Sequence, residues 1–166
     1  MTIAFQTCDL CDANKSDEGG VLRVLPPFFK HFGGREKFAG PVATVKCFED
    51  NSLVKQALDT EGRGRVLVVD GGGSLRKALV GGNLAAAAAR NGWAGVLVFG
   101  CVRDVAELRS TEVGVAALGL MPMPTEKRGE GQVDVAIEIA GVAVRPGDWL
   151  YADEDGVLVA AKALHS

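Results

Sequence analysis

The stretch that decides the fold runs from position 65 to 104, RVLVVDGGGSLRKALVGGNLAAAAARNGWAGVLVFGCVRD. It contains two apolar runs, residues 66–69 and 95–101, in which no charged or polar side chain alternates with the hydrophobic ones. Runs of this kind are typical of strands that a parallel sheet buries on both faces. The first run ends in Asp70 and three glycines, which indicates that the strand leaves the sheet through a tight loop.

The segment between these two strands predicts a helical connection. Residues 74–80 favour a short helical turn, and residues 84–90 favour a longer helix with Asn83 as its N-cap. Gly92 then stands where a glycine in left-handed conformation ends many helices. Strand, helix and strand in this order predict a right-handed parallel βαβ unit, whose ligand face lies at the carboxyl ends of the strands.

The flanking sequence predicts a mixed domain around this unit. Residues 7–34 are interpreted as an irregular arm, because they begin with a polar stretch of no clear period and contain Pro26-Pro27. Alternating apolar and polar residues across 133–139 predict one half-exposed antiparallel strand. The other predicted elements are a strand at 38–48, a helix at 51–58, one or two helical turns at 105–110, a strand at 113–118, a loop at 121–131, and strands at 149–151 and 157–161.

Length and composition bound the class of protein. The chain has 166 residues, 48% of them hydrophobic, so we expect a single α/β domain over residues 1–166 with a central parallel βαβ unit and a β-rich C-terminal flank. A net charge of −3, with acidic and basic residues interspersed, predicts no direct binding to nucleic acid. No stretch approaches the ~18 apolar residues of a membrane span and no export signal is evident, so we expect a cytoplasmic protein.

The cysteines predict no metal centre and no disulfide. Cys8 and Cys11 form a C-x-x-C pair, but neither a second pair nor closely spaced histidines accompany it. Because nothing predicts secretion, we expect all four cysteines to be thiols.

Two glycine loops are candidates for binding an anion. The first, Asp70 to Ser74, fails the dinucleotide pattern because Arg76 occupies the third glycine position, and it is better interpreted as a close turn. The second is Gly81-Gly82-Asn83-Leu84. Bare amides at a helix start can bind a carboxylate or phosphate, although an ordinary helix start capped by Asn83 accounts equally well for this sequence.

Arg103 and Asp104 end the second buried strand, at the sheet edge where the Gly81 loop is also expected. A guanidinium can bind a carboxylate through two parallel hydrogen bonds, and the adjacent carboxylate can hold a hard cation such as Mg²⁺. The alternative is a surface ion pair that caps the next turn, which is a common outcome for such a dipeptide.

These residues also carry a family resemblance. The chain resembles the regulator of ribonuclease activity A family, which is related to the class II 4-hydroxy-4-methyl-2-oxoglutarate aldolases. The resemblance extends over nearly the whole chain, through residues 9–12 (DLCD), 32–35 (FGGR), 44–51 (TVKCFEDN), 68–74 (VVDGGGS), 92–95 (GWAG), 100–104 (GCVRD), 146–148 (PGD) and 151–153 (YAD).

The resemblance implies a β/β/α swivelling-domain fold, assembled as a ring-shaped homotrimer or as a pair of trimers. In the aldolases, the loop that matches Gly81 to Leu84 and the arginine that matches Arg103 bind a 2-oxo acid. The aspartate that matches Asp104 binds a divalent metal, for which Mg²⁺ is expected and Mn²⁺ is an alternative. The regulator branch instead binds endoribonuclease E and reduces RNA cleavage.

One departure from the aldolase pattern bears on activity. Aldolases often carry an aspartate where this chain has Gly82, twenty-one residues before Arg103, and the resemblance gives that acid a role in holding metal-bound water. Glu107, four residues after Arg103, could reach the site. Because Arg103 and Asp104 are retained, we expect a metal-dependent lyase that forms pyruvate from 4-hydroxy-4-methyl-2-oxoglutarate and decarboxylates oxaloacetate. The missing acid favours the alternative, a non-catalytic ribonuclease regulator.

Overall fold

The computed structural model describes residues 2–166. Four helices are present in this part of the chain: α1 (Thr7–Asn14), α2 (Ser52–Leu58), α3 (Gly82–Arg90) and α4 (Val105–Arg109). The strands are β1 (Leu22–Val24), β2 (Lys30–His31), β3 (Phe38–Lys46), β4 (Val66–Asp70), β5 (Ala78–Val80), β6 (Gly95–Val102), β7 (Gly114–Leu120), β8 (Gln132–Val133), β9 (Ile137–Ile139), β10 (Val142–Val144), β11 (Trp149–Asp153) and β12 (Gly156–Ala160). Across residues 2–166, none of the helices has the length and apolar character needed to span a membrane.

Ten of the strands form one mixed sheet. Its main order is β1-β12-β11-β3-β4-β6-β7-β2, with β5 paired to β6 and β8 paired to β3. The central strands β3, β4, β6 and β7 run parallel, whereas β11, β12 and β1 extend the sheet in antiparallel fashion on one side. The predicted parallel centre and β-rich C-terminal flank are therefore confirmed.

Strand β4 shows why the apolar runs lack alternation. Leu67 and Val69 pack into a core with residues of α2, α3 and α4. Val66 and Val68 point to the opposite face, into a second core that includes the β9–β10 hairpin. Because both faces are covered, every position from 66 to 69 is apolar, and the polar Asp70 stands only at the end of the strand. The layers are thus β-hairpin, sheet and helices, which agrees with the β/β/α fold implied by the resemblance.

The prediction of an irregular arm over residues 7–34 was wrong, since this segment contains α1, β1 and β2. The carboxylate of Asp153 accepts hydrogen bonds from the backbone N–H and the hydroxyl of Thr7, at 2.8 and 2.6 Å. The first turn of α1 is therefore stabilised by a residue 146 positions away, which no local pattern reveals. The packing of α1 against β11 and β12 adds to this stabilisation.

The prediction of a helical turn at residues 74–80 was also wrong. Ala78 and Val80 pair with β6 as a short parallel strand, β5. The backbone N–H of Ala78 also donates to the carbonyl of Met123, at 2.8 Å. Pairing on both sides decides the conformation of a run this short, because tertiary context overrides local propensity.

The single strand predicted across residues 133–139 is divided in two. Asp134 has a φ of 55°, a left-handed conformation that aspartate tolerates better than most residues. The chain turns there from β8, which pairs with β3, to β9, which pairs with β10. The alternating pattern identified the extended segments on either side but could not locate this break.

Candidate active site

Strand β5 and the end of β6 bring the two predicted site segments together. The backbone N–H of Arg103 donates to the carbonyl of Val80, at 2.9 Å. The loop that begins at Gly81 therefore starts beside the Arg103-Asp104 dipeptide at the carboxyl edge of the sheet. The predicted juxtaposition is correct, although it depends on a strand that the sequence did not reveal.

The start of α3 differs from the predicted one. The helix begins at Gly82, with Gly81 in the N-cap position, and no side chain of its own caps it, so the prediction of Asn83 as N-cap was wrong. Instead, the backbone N–H of Gly82 donates to Oδ2 of Asp104, at 2.9 Å. The amides of Asn83 and Leu84 donate to no acceptor among the described residues. The helix thus presents two free donors, as an anion-binding helix start requires.

Steric constraints explain why positions 81 and 82 are both glycine. A Cβ at Gly81 would lie 2.7 Å from Oδ2 of Asp104 and 3.2 Å from Cγ of Arg103. A Cβ at Gly82 would collide with the carboxylate of Glu107, whose Cδ would be 2.7 Å away. The backbone at the start of α3 can approach these charged side chains closely because positions 81 and 82 carry no side chains.

Asp104 has a left-handed backbone conformation at the site. Its φ of 63° and ψ of 49° place it in the left-handed region, immediately before α4. Its carbonyl accepts the hydrogen bond from the N–H of Leu108, at 2.9 Å, so the residue begins the helix while its side chain turns back to Gly82. Aspartate tolerates this region better than most residues, as it also does at Asp134.

A cavity of about 150 Å³ lies over these residues. Its volume is below the roughly 300–1,000 Å³ of sites for drug-sized ligands, so it suits a small molecule. Its lining contains five of the six predicted site residues, and Gly82 is buried beside it. The lining residues are Asn51, Lys55, Ala78, Gly81, Asn83, Leu84, Arg103, Asp104, Pro124 and Lys127.

Two lysines in this lining were missed by the sequence analysis. Lys55 lies on α2 and forms an ion pair with Asp59, at 2.9 Å. Lys127 lies in the loop that follows β7 and has no ion-pair partner within residues 2–166. With Arg103 they give the cavity three cationic side chains against the carboxylate of Asp104. No spacing in the sequence marks these lysines, because α2 and the loop after β7 reach the cavity only through tertiary contacts.

Asp50 holds the loop that carries Lys127. This buried carboxylate accepts hydrogen bonds from the N–H groups of Arg128 and Glu130, at 2.9 and 3.1 Å, and from the N–H and hydroxyl of Ser52. Burial alone would raise the pKa of Asp50, but these hydrogen bonds outweigh it and hold the pKa well below the usual range. Asn51 also ties Thr125 to the end of β5, through the carbonyl of Leu79.

The site could contribute a carboxylate ligand to a hard divalent cation whose other ligands are water or substrate. Within residues 2–166, no group of three or more His, Cys, Asp or Glu side chains could enclose a metal ion. Arg103 and Asp104 form no ion pair with each other or with any described residue; the guanidinium donates to the carbonyl of Pro122, at 3.3 Å. The predicted alternative of a surface ion pair is therefore wrong. One carboxylate with free coordination capacity is compatible with a hard divalent cation that takes its other ligands from water and substrate.

The other candidates have structural roles. Gly71 approaches β6 closely, since a Cβ there would lie 2.8 Å from the carbonyl oxygen of Phe99, so the first glycine loop is a close turn as predicted. All four cysteines are unpaired, also as predicted. Burial raises the pKa of Cys47 to about 12, which leaves it a thiol at neutral pH.

The fold and the cavity define an α/β protein with a small cavity, lined by cationic side chains and free helix amides, at the carboxyl edge of a parallel sheet. A sequence model of the RraA-like family, described as Aldolase/RraA, matches residues 7–159. The chain belongs to this family.

Two similar proteins have the same name. A protein of Albidiferax ferrireducens named "Putative 4-hydroxy-4-methyl-2-oxoglutarate aldolase" is 64% identical over 99% of each chain, and one of the same name from Burkholderia multivorans is 57% identical over 98% of this chain and 99% of its own length.

Two solved structures share the fold. The RNA-processing inhibitor RraA of Thermus thermophilis has a TM-score of 0.90 and 50% identity, over 96% of this chain and 94% of its own. An S-adenosylmethionine: 2-dimethylmenaquinone methyltransferase of Geobacillus kaustophilus has a TM-score of 0.91 and 48% identity, over 96% and 97%. Because one fold carries several names, the function must be argued from the site.

Proposed function

We propose that this protein is a divalent-metal-dependent lyase that cleaves 4-hydroxy-4-methyl-2-oxoglutarate to pyruvate and decarboxylates oxaloacetate. One observation carries the proposal: a single small cavity joins the free amides of α3, the guanidinium of Arg103 and the carboxylate of Asp104. The 64% identical relative bears the name of this aldolase, which supports the same reaction class.

The substrate's 2-oxo acid end is bound by the chain itself. Its carboxylate accepts hydrogen bonds from Arg103 and from the amides of Asn83 and Leu84, where the positive end of the α3 dipole adds attraction. Both substrates carry a second carboxylate, and Lys127 and Lys55 supply positive charge elsewhere in the cavity lining. The cavity thus suits a small dianion better than a neutral molecule.

Asp104 would hold the cation, with Mg²⁺ or Mn²⁺ as the candidates. When bound, the metal supplies a Lewis acid that stabilises negative charge on the substrate's keto oxygen. Arg103 orients the adjacent carboxylate so that the breaking carbon–carbon bond can deliver its electron pair toward that oxygen. In oxaloacetate, breaking this bond releases CO₂. Aldol cleavage of the other substrate also requires removal of the proton from the substrate hydroxyl.

The proposal is tested with Arg103→Ala and the control Arg109→Ala, an exposed arginine on α4. Pyruvate release from oxaloacetate should fall at least about 100-fold in kcat/KM for Arg103→Ala, because the two-pronged contact to the substrate is lost. The control should keep the wild-type rate. Equal rates for both variants would remove Arg103 from the site.

A second function is supported by the 50% identity to the RNA-processing inhibitor RraA. In this alternative the chain binds endoribonuclease E and reduces RNA cleavage without turning over a substrate. A pull-down with purified endoribonuclease E distinguishes the two functions. Binding at micromolar concentration, with no pyruvate formation, would favour the regulator.

We further propose that the protein acts in the cytoplasm as a homotrimer or a pair of trimers. Four unpaired thiols suit a reducing compartment. Exposed apolar side chains lie at or after the carboxyl ends of the parallel strands, where a neighbouring subunit would cover them. These side chains are Phe48, Leu75, Leu120 and Met123.

A further inference from the structure

The segment after β12, residues 161–166, folds back onto strand β11. The hydroxyl of Tyr151, a fully buried residue, accepts a hydrogen bond from the backbone N–H of Leu164, at 2.8 Å. The same hydroxyl oxygen lies 2.6 Å from Nδ1 of His165. The imidazole also packs edge-on against the ring of Trp149, with the ring centroids 4.8 Å apart. Two side chains of β11 thus hold this segment.

The hydroxyl of Tyr151 decides which nitrogen of His165 carries a proton. A phenol has one hydrogen to donate, and its oxygen can accept. The oxygen accepts from Leu164, so the hydroxyl hydrogen needs an acceptor of its own. Among the described residues, Nδ1 of His165 is the acceptor within reach. The network therefore assigns a neutral imidazole with its proton on Nε2.

A second proton on the imidazole would oppose this arrangement. An imidazolium donates from both nitrogens and accepts at neither. The Nδ1–H of His165 would then face the O–H of Tyr151, and the buried hydroxyl hydrogen would lose its acceptor. A buried donor without a partner is unfavourable. Protonation of His165 therefore favours release of the segment from β11.

The groups packed around this aromatic cluster supply no carboxylate that would hold a protonated His165 in place. In the described part of the chain, His165 forms no ion pair within 4.0 Å. Helix α1 contributes Cys11, whose pKa is raised by burial and by Asp12, so it is an uncharged thiol. The ammonium of Lys37 lies over the ring of Phe5, at 4.9 Å. The side chains from β1, β3 and β12 are apolar.

We propose that Tyr151 and His165 form a pH-sensitive latch, which holds residues 161–166 on β11 while the imidazole is neutral and releases them when it is protonated. The latch contributes no residue to the lining of the cavity, so this inference is independent of the proposed function. Release uncovers the aromatic surface of β11 around Trp149, which the imidazole otherwise covers.

The test measures amide hydrogen exchange at Leu164, expressed as a protection factor so that the intrinsic pH dependence of exchange is removed. Histidine changes charge between about pH 5 and pH 8, so these two values are compared. Protection in the wild type should fall at least about 10-fold from the higher pH to the lower, because the released segment lacks the bond to Tyr151. His165→Gln keeps a side-chain acceptor that does not titrate, and its protection should be equal at both values.

Two further variants separate the latch from general effects of pH. The sequence contains one other histidine, His31, whose Nε2 lies 2.7 Å from the carbonyl oxygen of Asp153. His31→Gln should keep the wild-type pH dependence at Leu164. Tyr151→Phe removes the hydroxyl with little change in volume, and it should leave Leu164 unprotected at both values. Circular dichroism and the urea midpoint report whether each variant is folded.

The inference is overturned if protection of Leu164 in the wild type differs by less than about twofold between the two pH values. It is equally overturned if folded His165→Gln loses protection with falling pH as the wild type does, since the titrating group would then lie elsewhere.

Discussion

Asp104 combines a backbone role with a chemical one. Its left-handed conformation redirects the chain from β6 into α4, and its carboxylate holds the first amide of α3. A substitution at this position must respect the backbone if it is to report on the carboxylate. Asparagine tolerates the left-handed region, whereas alanine would add strain that has nothing to do with the chemistry.

We therefore expect Asp104→Asn to fold normally and to lose metal-dependent turnover. Pyruvate release from oxaloacetate should fall at least about 100-fold, because a neutral amide binds a hard cation poorly. The urea midpoint should remain near that of the wild type. A variant that keeps both its midpoint and its turnover would show that the cation, if used, is held elsewhere.

Lys127 is expected to bind the second carboxylate of the substrate. Lys127→Met keeps most of the side-chain volume and removes the charge, so KM for oxaloacetate should rise about 3–10-fold while kcat changes less. The matched control is Lys162→Met, which changes an exposed lysine near the C-terminus. An unchanged KM for Lys127→Met would contradict the role.

At the scale of elements, the loop after β7 depends on one buried carboxylate. Asp50→Ala would leave the amides of Arg128 and Glu130 without their acceptor, and we expect a loss of about 2–4 kcal/mol in the free energy of unfolding. Because Lys127 lies between Thr125 and Arg128, the same variant should also raise KM for oxaloacetate. Urea denaturation and steady-state assays measure the two effects.

The low pKa of Asp50 sets a direction for the pH dependence. Its folded pKa lies below the ordinary value of about 3.9 for an unfolded chain. Its stabilisation is therefore complete above that ordinary value and is lost as the pH falls through the folded pKa. Asp50→Asn should be less stable than the wild type at pH 7, and the difference should narrow below about pH 4. Parallel curves of urea midpoint against pH would contradict this.

Helix α1 is expected to depend on Asp153. Thr7→Ala removes one of the two hydrogen bonds to that carboxylate and should cost about 1 kcal/mol of unfolding free energy. Amide hydrogen exchange should accelerate mainly in residues 7–14. Thr7→Ser keeps the hydroxyl and serves as the control. Uniform acceleration across the sheet would show that α1 does not open independently.

The elements that the sequence predicted well are those whose environment is uniform along the chain. Strand β4 is apolar from residue 66 to 69 because both faces are buried there, so its pattern could be recognised locally. Helix α1 and strand β5 were missed because distant partners hold them, Asp153 for the first and both β6 and Met123 for the second. The juxtaposition of Arg103 with the Gly81 loop followed from sheet topology, whereas Lys127 could not be predicted because its loop has no periodic signal.

At the scale of the whole molecule, the site lies at the carboxyl edge of the sheet, and exposed apolar side chains such as Phe48 and Leu120 lie at or after strand ends on the same edge. We expect these side chains to be buried between subunits. Light scattering coupled to size-exclusion chromatography should give three or six times the mass of the 17.3 kDa chain. Phe48→Glu should shift that mass toward the monomer, since a charge in an apolar interface is costly. A monomeric wild type would contradict the proposed assembly.

The central claim is that this chain is a metal-dependent lyase, and the most direct test is pyruvate formation by the purified protein. Oxaloacetate and 4-hydroxy-4-methyl-2-oxoglutarate are each supplied with Mg²⁺ and then with excess chelator. We expect turnover above the rate with metal alone, and its loss when the metal is removed. No turnover of either substrate above the metal-only rate would contradict the claim and favour the ribonuclease regulator.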